Sequence, residues 1–232
     1  MKEFLKKVIP SRIRQTIHKI RTQIKILKWS QHPKVKNWDG KFAPNELKDL
    51  VWQWEKTKEP IAVPHKIKQA HLKKFAGPTL IETGTYHGDM VASMLPYFKE
   101  IQSIEINSNL YNKAKKRFQN NPNITLHEGN SNNILPKINL EKNCVFWLDG
   151  HYCFQEQPNE TPILEELEII LTSKGTHCIL IDDARFFTGK NGYPTIQTVT
   201  ELVAKKNPNY TTKIEDDILK ILPISQKTKK PD

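Results

Sequence analysis

The sequence predicts an α/β fold, with one open, mostly parallel sheet of seven strands, helices on both faces, a C-terminal antiparallel hairpin and a basic helix ahead of the core. Three observations lead there. From Thr79 onward short apolar runs alternate with helical stretches, the pattern of strands joined by crossover helices. The first run opens into a glycine-bearing loop, and residues 1–41 are set apart by their charge.

Residues 1–41 carry twelve Lys or Arg against Glu3 and Asp39, so the segment holds +10 of the chain's net +11. Within it Val8, Ile9, Ile13, Ile17, Ile20, Ile24 and Leu27 recur at steps of three and four with basic residues between, which predicts a basic amphipathic helix. Two readings stand: the helix packs on the body of the protein or on a second subunit, or it lies on an anionic membrane surface. Nucleic acid ranks third. Pro33 and Pro44 bracket a polar linker, and Leu47, Leu50, Val51 and Trp54 mark a second helix. The expected division is an arm and linker over 1–43, a catalytic domain over 44–223 and a disordered tail over 224–232.

In the domain the predicted strands are 79–83, 101–106, 124–128, 144–149 and 177–182, and the predicted helices are 90–98, 108–119 and 161–171. Residues 210–222 supply the hairpin, with its turn at Asp216 and Asp217. Cys144, Cys153 and Cys178 show neither CxxC spacing nor an even count, which argues against a zinc site or a disulfide framework. No apolar run reaches the length of a bilayer span, so the expected location is cytoplasmic, with peripheral attachment to a membrane surface as the arm's contribution.

In an open α/β sheet a ligand sits beyond the carboxyl ends of the strands, where strand order reverses. The exit of the first strand reads Glu82-Thr83-Gly84-Thr85-Tyr86-His87-Gly88. Gly84 and Gly88 allow a sharp turn and close backbone approach. Glu105 ends the next strand, 21 residues after Gly84, where a carboxylate can accept the hydroxyls of a ribose. Glu82 suits a sulfonium-bearing ligand, because a carboxylate there can receive the ammonium of an amino-acid portion. The looser glycine spacing fits a dinucleotide less well.

At this point the chain resembles the class I methyltransferases, and within them the metal-dependent O-methyltransferases of the catechol and macrolide-sugar types. The resemblance runs from about Thr79 to Arg185 and rests on IETGTYHGDM, SIEIN, EGNSNNILP, FWLDGHY, TPILEELEII and ILIDDAR occurring in order. It implies a Rossmann-like sheet and S-adenosylmethionine as cofactor, held by Glu82, Gly84, Thr85, Gly88, Glu105, Ser131, Asn132 and Asp149. It further implies that Asp149, Asp182 and Asp183 hold Mg2+, and that His151 acts with Asp149 in catalysis as the base that takes the acceptor's proton. Three oxygen donors suit magnesium or calcium better than zinc, and a bound cation acidifies and orients a hydroxyl. Without a cation the same acids read as a rim of capping or cofactor contacts. Two departures stand out: Tyr152 replaces the lysine of catechol enzymes, and Asp183 replaces their frequent asparagine.

Arg185 and Tyr193, on a loop with Gly189 and Gly192, are expected to touch substrate. The leading expectation is methylation of a hydroxyl on a glycan or glycosylated small metabolite. The alternatives are a non-catalytic adenosine-binding module recruited by the arm, or nucleic-acid methylation, against which stands the lack of an Asn-Pro-Pro-Tyr motif.

Overall fold

The computed structural model describes residues 65–150 and 161–224. The basic arm, the linker, the second helix expected at Leu47 to Trp54, His151 and residues 225–232 of the tail lie outside the described residues. The elements run α1 (His65–Lys73), β1 (Gly77–Thr83), α2 (Asp89–Met94), β2 (Phe98–Glu105), α3 (Ser108–Arg117), β3 (Ile124–Glu128) and α4 (Ser131–Ile134). They continue with β4 (Val145–Leu148), α5 (Ile163–Thr172), β5 (Cys178–Ile181), α6 (Ile196–Lys206), β6 (Tyr210–Glu215) and β7 (Ile218–Pro223), with 3-10 turns at Leu135–Lys137 and Ala184–Phe186.

The strands form one sheet in the order β3-β2-β1-β4-β5-β7-β6. β1 pairs in parallel with both β2 and β4, so the order in which successive strands are added reverses between β1 and β4. β7 enters antiparallel between β5 and β6, which brings the Asp216–Asp217 turn to the carboxyl edge of β5. Both turn residues hold positive φ, 50° and 62°, a tight-hairpin geometry that Asp tolerates better than most side chains.

β4 (VFWL) and β5 (CILI) are apolar throughout because both faces of the sheet are covered there. On one face Ile81, Ile104, Phe146, Leu148, Ile179 and Ile181 meet Leu167 and Ile170 of α5 and Val199 and Val203 of α6. On the other Leu80, Ile101, Trp147 and Leu180 meet Leu72 of α1, Met90 and Met94 of α2 and Phe118. Burying each such side chain contributes about 1.5–3 kcal/mol before entropy is counted. None of the described helices is long and apolar enough to cross a membrane.

Two boundaries differ from the sequence reading for local reasons, whereas α3 begins where it is expected. The helix expected over 90–98 ends at Met94, because Pro96 cannot continue it, and Phe98 already pairs with Gly77 as the first residue of β2. α3 starts at Ser108, capped by Asn107, whose side chain accepts from the amides of Asn109 and Leu110. The helices α1 and α6 have no counterpart among the predicted elements. His177, buried before β5, is a structural residue: its Nδ1 accepts from the Cys144 amide at 3.1 Å and Nε2 meets Ser173 Oγ at 2.7 Å. Burial pushes its pKa down to about 4, so the ring is neutral.

Candidate cofactor and acceptor site

The exit of β1 is built around backbone approach. Gly84 has φ +85°, and a Cβ there would collide with the carbonyl of Asp149, lying 2.8 Å from its carbon. The loop and the end of β4 are therefore in direct contact, as the hydrogen bond from Asp149 N to Thr83 O at 3.0 Å also shows. Gly84 N and Thr85 N both donate to Ile104 O, at 2.9 and 3.2 Å, which fixes the loop to the end of β2. Gly88, φ +76°, precedes α2, and a Cβ there would fall 2.6 Å from the Phe118 ring.

Glu105 is the fixed point of this region. Its Oε2 accepts from Tyr86 N at 2.7 Å and its Oε1 from Asn107 N at 2.8 Å. Two backbone donors hold the carboxylate in one orientation, and each oxygen keeps a second lone pair. Tyr86 adopts φ 49°, which turns its amide onto Glu105 and leaves its ring 54% exposed.

Glu82 is almost fully buried, and its carboxyl accepts a hydrogen bond from Ser103 Oγ. Ser103 Oγ also meets Thr85 Oγ1 at 2.6 Å, so Thr85 donates to Ser103 and Ser103 to Glu82. Burial pushes the Glu82 pKa up to about 8, with the charges of Asp149 and Glu105 acting in the same direction and the Ser103 bond against it. A cationic ligand group would restore the carboxylate.

Ser131 and Asn132 open α4, which Asn130 caps through its side chain. Asn132 Oδ1, Thr83 Oγ1 and Glu166 Oε1 are buried without a well-formed hydrogen bond among the described residues. Glu166 belongs to this group although it was not anticipated from the sequence. It lies on the apolar face of α5 with Ile163, Leu167 and Ile170, and an acid at such a position is the signal that could have marked it. Its carboxyl is raised to about 7 by burial, with the hydroxyls of Ser131 and Thr83 close enough to oppose the shift. A Cβ on Gly150 would stand 3.5 Å from Glu166 Oε1.

The three acids expected to hold a metal end neighbouring strands. Asp149 follows β4, and Asp182 and Asp183 follow β5. Asp182 and Asp183 share a cation from α1: Lys68 Nζ donates to Asp182 Oδ2 at 2.6 Å and to Asp183 Oδ1 at 2.9 Å. Arg185 adds a bond to Asp183 Oδ1 at 2.7 Å and a shorter one to Asp217. Burial works against the Lys68 ammonium, but the two aspartates more than reverse this and its pKa is raised. Burial likewise opposes ionisation of Asp183, yet Lys68 and Arg185 hold it down at about 2. Asp182 is raised, by burial first and then by the charge of Asp149. Magnesium binds oxygen at about 2.0–2.1 Å, so an ion on these oxygens and an ammonium at hydrogen-bond distance from two of them exclude each other. As arranged, the residues do not fit the ion.

Arg185 thus spends its guanidinium on Asp183 and Asp217, while Tyr193 packs its ring against Phe187 and Phe186 at centroid distances of 5.5 and 5.6 Å. Both residues follow β5 at the carboxyl edge of the sheet and face protein partners. A second polar cluster adjoins them. His71 Nδ1 accepts from Lys220 Nζ at 2.6 Å, which leaves the ring's N–H on Nε2 to donate to Asp216 Oδ2 at 2.9 Å, and Lys220 also binds Glu215 at 2.8 Å.

No family model matches the sequence, and no curated protein does. Among solved structures the chain is similar to the O-methyltransferase TomG from Streptomyces achromogenes, involved in tomaymycin synthesis and solved in complex with SAM. The TM-score is 0.54 at 12% identity, covering 86% of this chain and 94% of that one. The fold is that of a class I methyltransferase. Also similar are the SAH-bound methyltransferase PaMTH1 from Podospora anserina, at TM-score 0.49 and 12% identity over 93% and 98% of the two chains, and the 23S rRNA methyltransferase ErmE, at 0.48 and 13% over 71% and 72%. At the strand-order reversal between β1 and β4, Gly84 lies against Asp149 and the Tyr86 amide of the same loop is bonded to Glu105 at the end of β2.

Proposed function

We propose that this chain is an S-adenosylmethionine-dependent O-methyltransferase that methylates a hydroxyl of a glycan or glycosylated small metabolite. The observation that carries the reading is the Glu105 carboxylate, pinned by the amides of Tyr86 and Asn107 beside the Gly84 turn. The other groups fit the same ligand. Gly84 leaves room for close backbone approach, Glu82 is a buried acid awaiting a cation, and Asn132 Oδ1 is a buried acceptor awaiting a donor. When bound, the cofactor supplies an electrophilic methyl group on a sulfonium. The chain's part is to accept the ribose hydroxyls at Glu105, the ammonium at Glu82 and an amino group at Asn132. The acceptor's proton goes to His151, by the sequence resemblance. The acceptor class rests on the same resemblance.

The test is calorimetric titration with S-adenosylmethionine in two buffers of different ionisation heat. With the Glu82 pKa near 8 in the free protein, the group is mostly protonated at pH 7 and a bound ammonium converts it to carboxylate. Binding is expected to release close to one proton at pH 7 and progressively less above pH 8, so affinity rises with pH and then levels off. Glu82→Gln serves as the control for the ligand's own amine, and the release should disappear in it. Absence of binding in the wild type refutes the cofactor. Transfer of a labelled methyl group to RNA, with none to a panel of glycans and glycosides, refutes the acceptor class.

A further inference from the structure

We propose that Lys68 is the resident cation at the carboxyl ends of β4 and β5, occupying the carboxylates of Asp182 and Asp183 that a divalent ion would need, and that the chain works without a divalent metal. The inference rests on the methyl-transfer reading for its function, but its geometry stands alone. Lys68 is 7% exposed and divides its ammonium between two aspartates at 2.6 and 2.9 Å. Chain connectivity does not place it there, since its partners lie 114 and 115 residues away.

The residues around it hold the ammonium in that place. Ile67 and Leu72 bury the same face of α1, and His71, one turn on, ties the helix to Asp216 of the hairpin turn. The helix is thus clamped against the carboxyl edge at two points. A divalent ion could enter only by displacing a buried ammonium from both partners, with Arg185 still bonded to Asp183. Lys68 acts as a positioning residue: it keeps Asp182 and Asp183 in place beside the acceptor position with a charge that chelators cannot remove.

The experiment uses the full chain and Mn2+ alone, read as loss of the free-ion electron paramagnetic resonance signal. Wild type is expected to bind no stoichiometric Mn2+ up to about 1 mM. Lys68→Met, which empties the position, should gain one Mn2+ per chain, bound at least about tenfold more tightly than any wild-type binding. Lys68→Arg should stay silent, and Asp182→Asn added to Lys68→Met should abolish the gain. Methyl transfer by wild type should be indifferent to chelator. One Mn2+ bound to wild type and lost in Asp182→Asn overturns the proposal, and so does a folded Lys68→Met that binds none. If Lys68→Met does not fold, the comparison of wild type with Asp182→Asn decides. Failure to bind S-adenosylmethionine defeats the methyl-transfer reading and leaves the Mn2+ result intact.

Discussion

Glu105→Ala is expected to weaken S-adenosylmethionine binding by a hundredfold or more, measured by calorimetry. The side chain offers two charged acceptors to two hydroxyls, and hydrogen bonds to an ionised group contribute about 1.5–3 kcal/mol each. Loss of about 3 kcal/mol corresponds to somewhat over a hundredfold in affinity. The carboxylate is also held rigid by the Tyr86 and Asn107 amides, so its orientation is set before the ligand arrives. Glu105→Gln keeps one acceptor and loses the charge, and should fall between, at roughly tenfold. An Ala variant within threefold of wild type would remove Glu105 from the ligand site and take the main support of the proposed function with it.

Gly84→Ala is expected to be the most damaging single-methyl change in the described fold. A side chain at φ +85° costs about 1–2 kcal/mol from backbone sterics alone. The added Cβ would then meet the carbonyl of Asp149, backbone that cannot rotate aside, so the loop or the end of β4 must shift. A total of about 4 kcal/mol is a large share of the 5–15 kcal/mol that holds a domain together. It predicts a fall in melting temperature of about 8–16 °C, or no soluble protein. Gly77→Ala is the matched control. Its Cβ would meet only Phe75 O at an ordinary 3.5 Å, and the change should be within about 1 kcal/mol of neutral. Equal melting temperatures for the two variants would show that the close approach at Gly84 is not obligatory.

The parts of the fold that could be read in the sequence are those whose cause is local. VFWL and CILI are apolar at every position because they lie in the middle of a sheet covered on both faces, and no helix period competes with them. The hairpin announced itself through Asp216-Asp217, and the acid at Glu105 through its distance from Gly84. α6 was legible but not read: Ile196, Val199 and Val203 recur at steps of three and four, masked by the β-branched Thr195, Thr198 and Thr200 among them.

α1 was hidden for a different reason. Its buried positions are Ile67, Lys68, His71 and Leu72, so half of its inward face is polar and the apolar period breaks where the helix reaches the site. Lys68 itself could not be distinguished within HKIKQAHLKK, where four of ten residues are lysines. Its meaning depends on two aspartates more than a hundred residues away. The carboxylate cluster was therefore found from the sequence while its cation was not. The same holds for Arg185, whose partner Asp217 lies 32 residues downstream.

The antiparallel entry of β7 between β5 and β6 has a consequence for how the protein is made. Asp217, which receives the Arg185 guanidinium and the Ala184 amide, and Asp216, which anchors His71, sit on the last turn of the sheet. During synthesis the first four strands and the cofactor loop can pair while the ribosome still holds the remainder of the chain. The edge of the sheet beyond β5 cannot close until the final strand has emerged and slotted between two others, a step of high contact order that is correspondingly slow. A nascent chain stalled before Ile218 would have β1 to β5 paired but would lack the strand that sets Asp217 against Arg185.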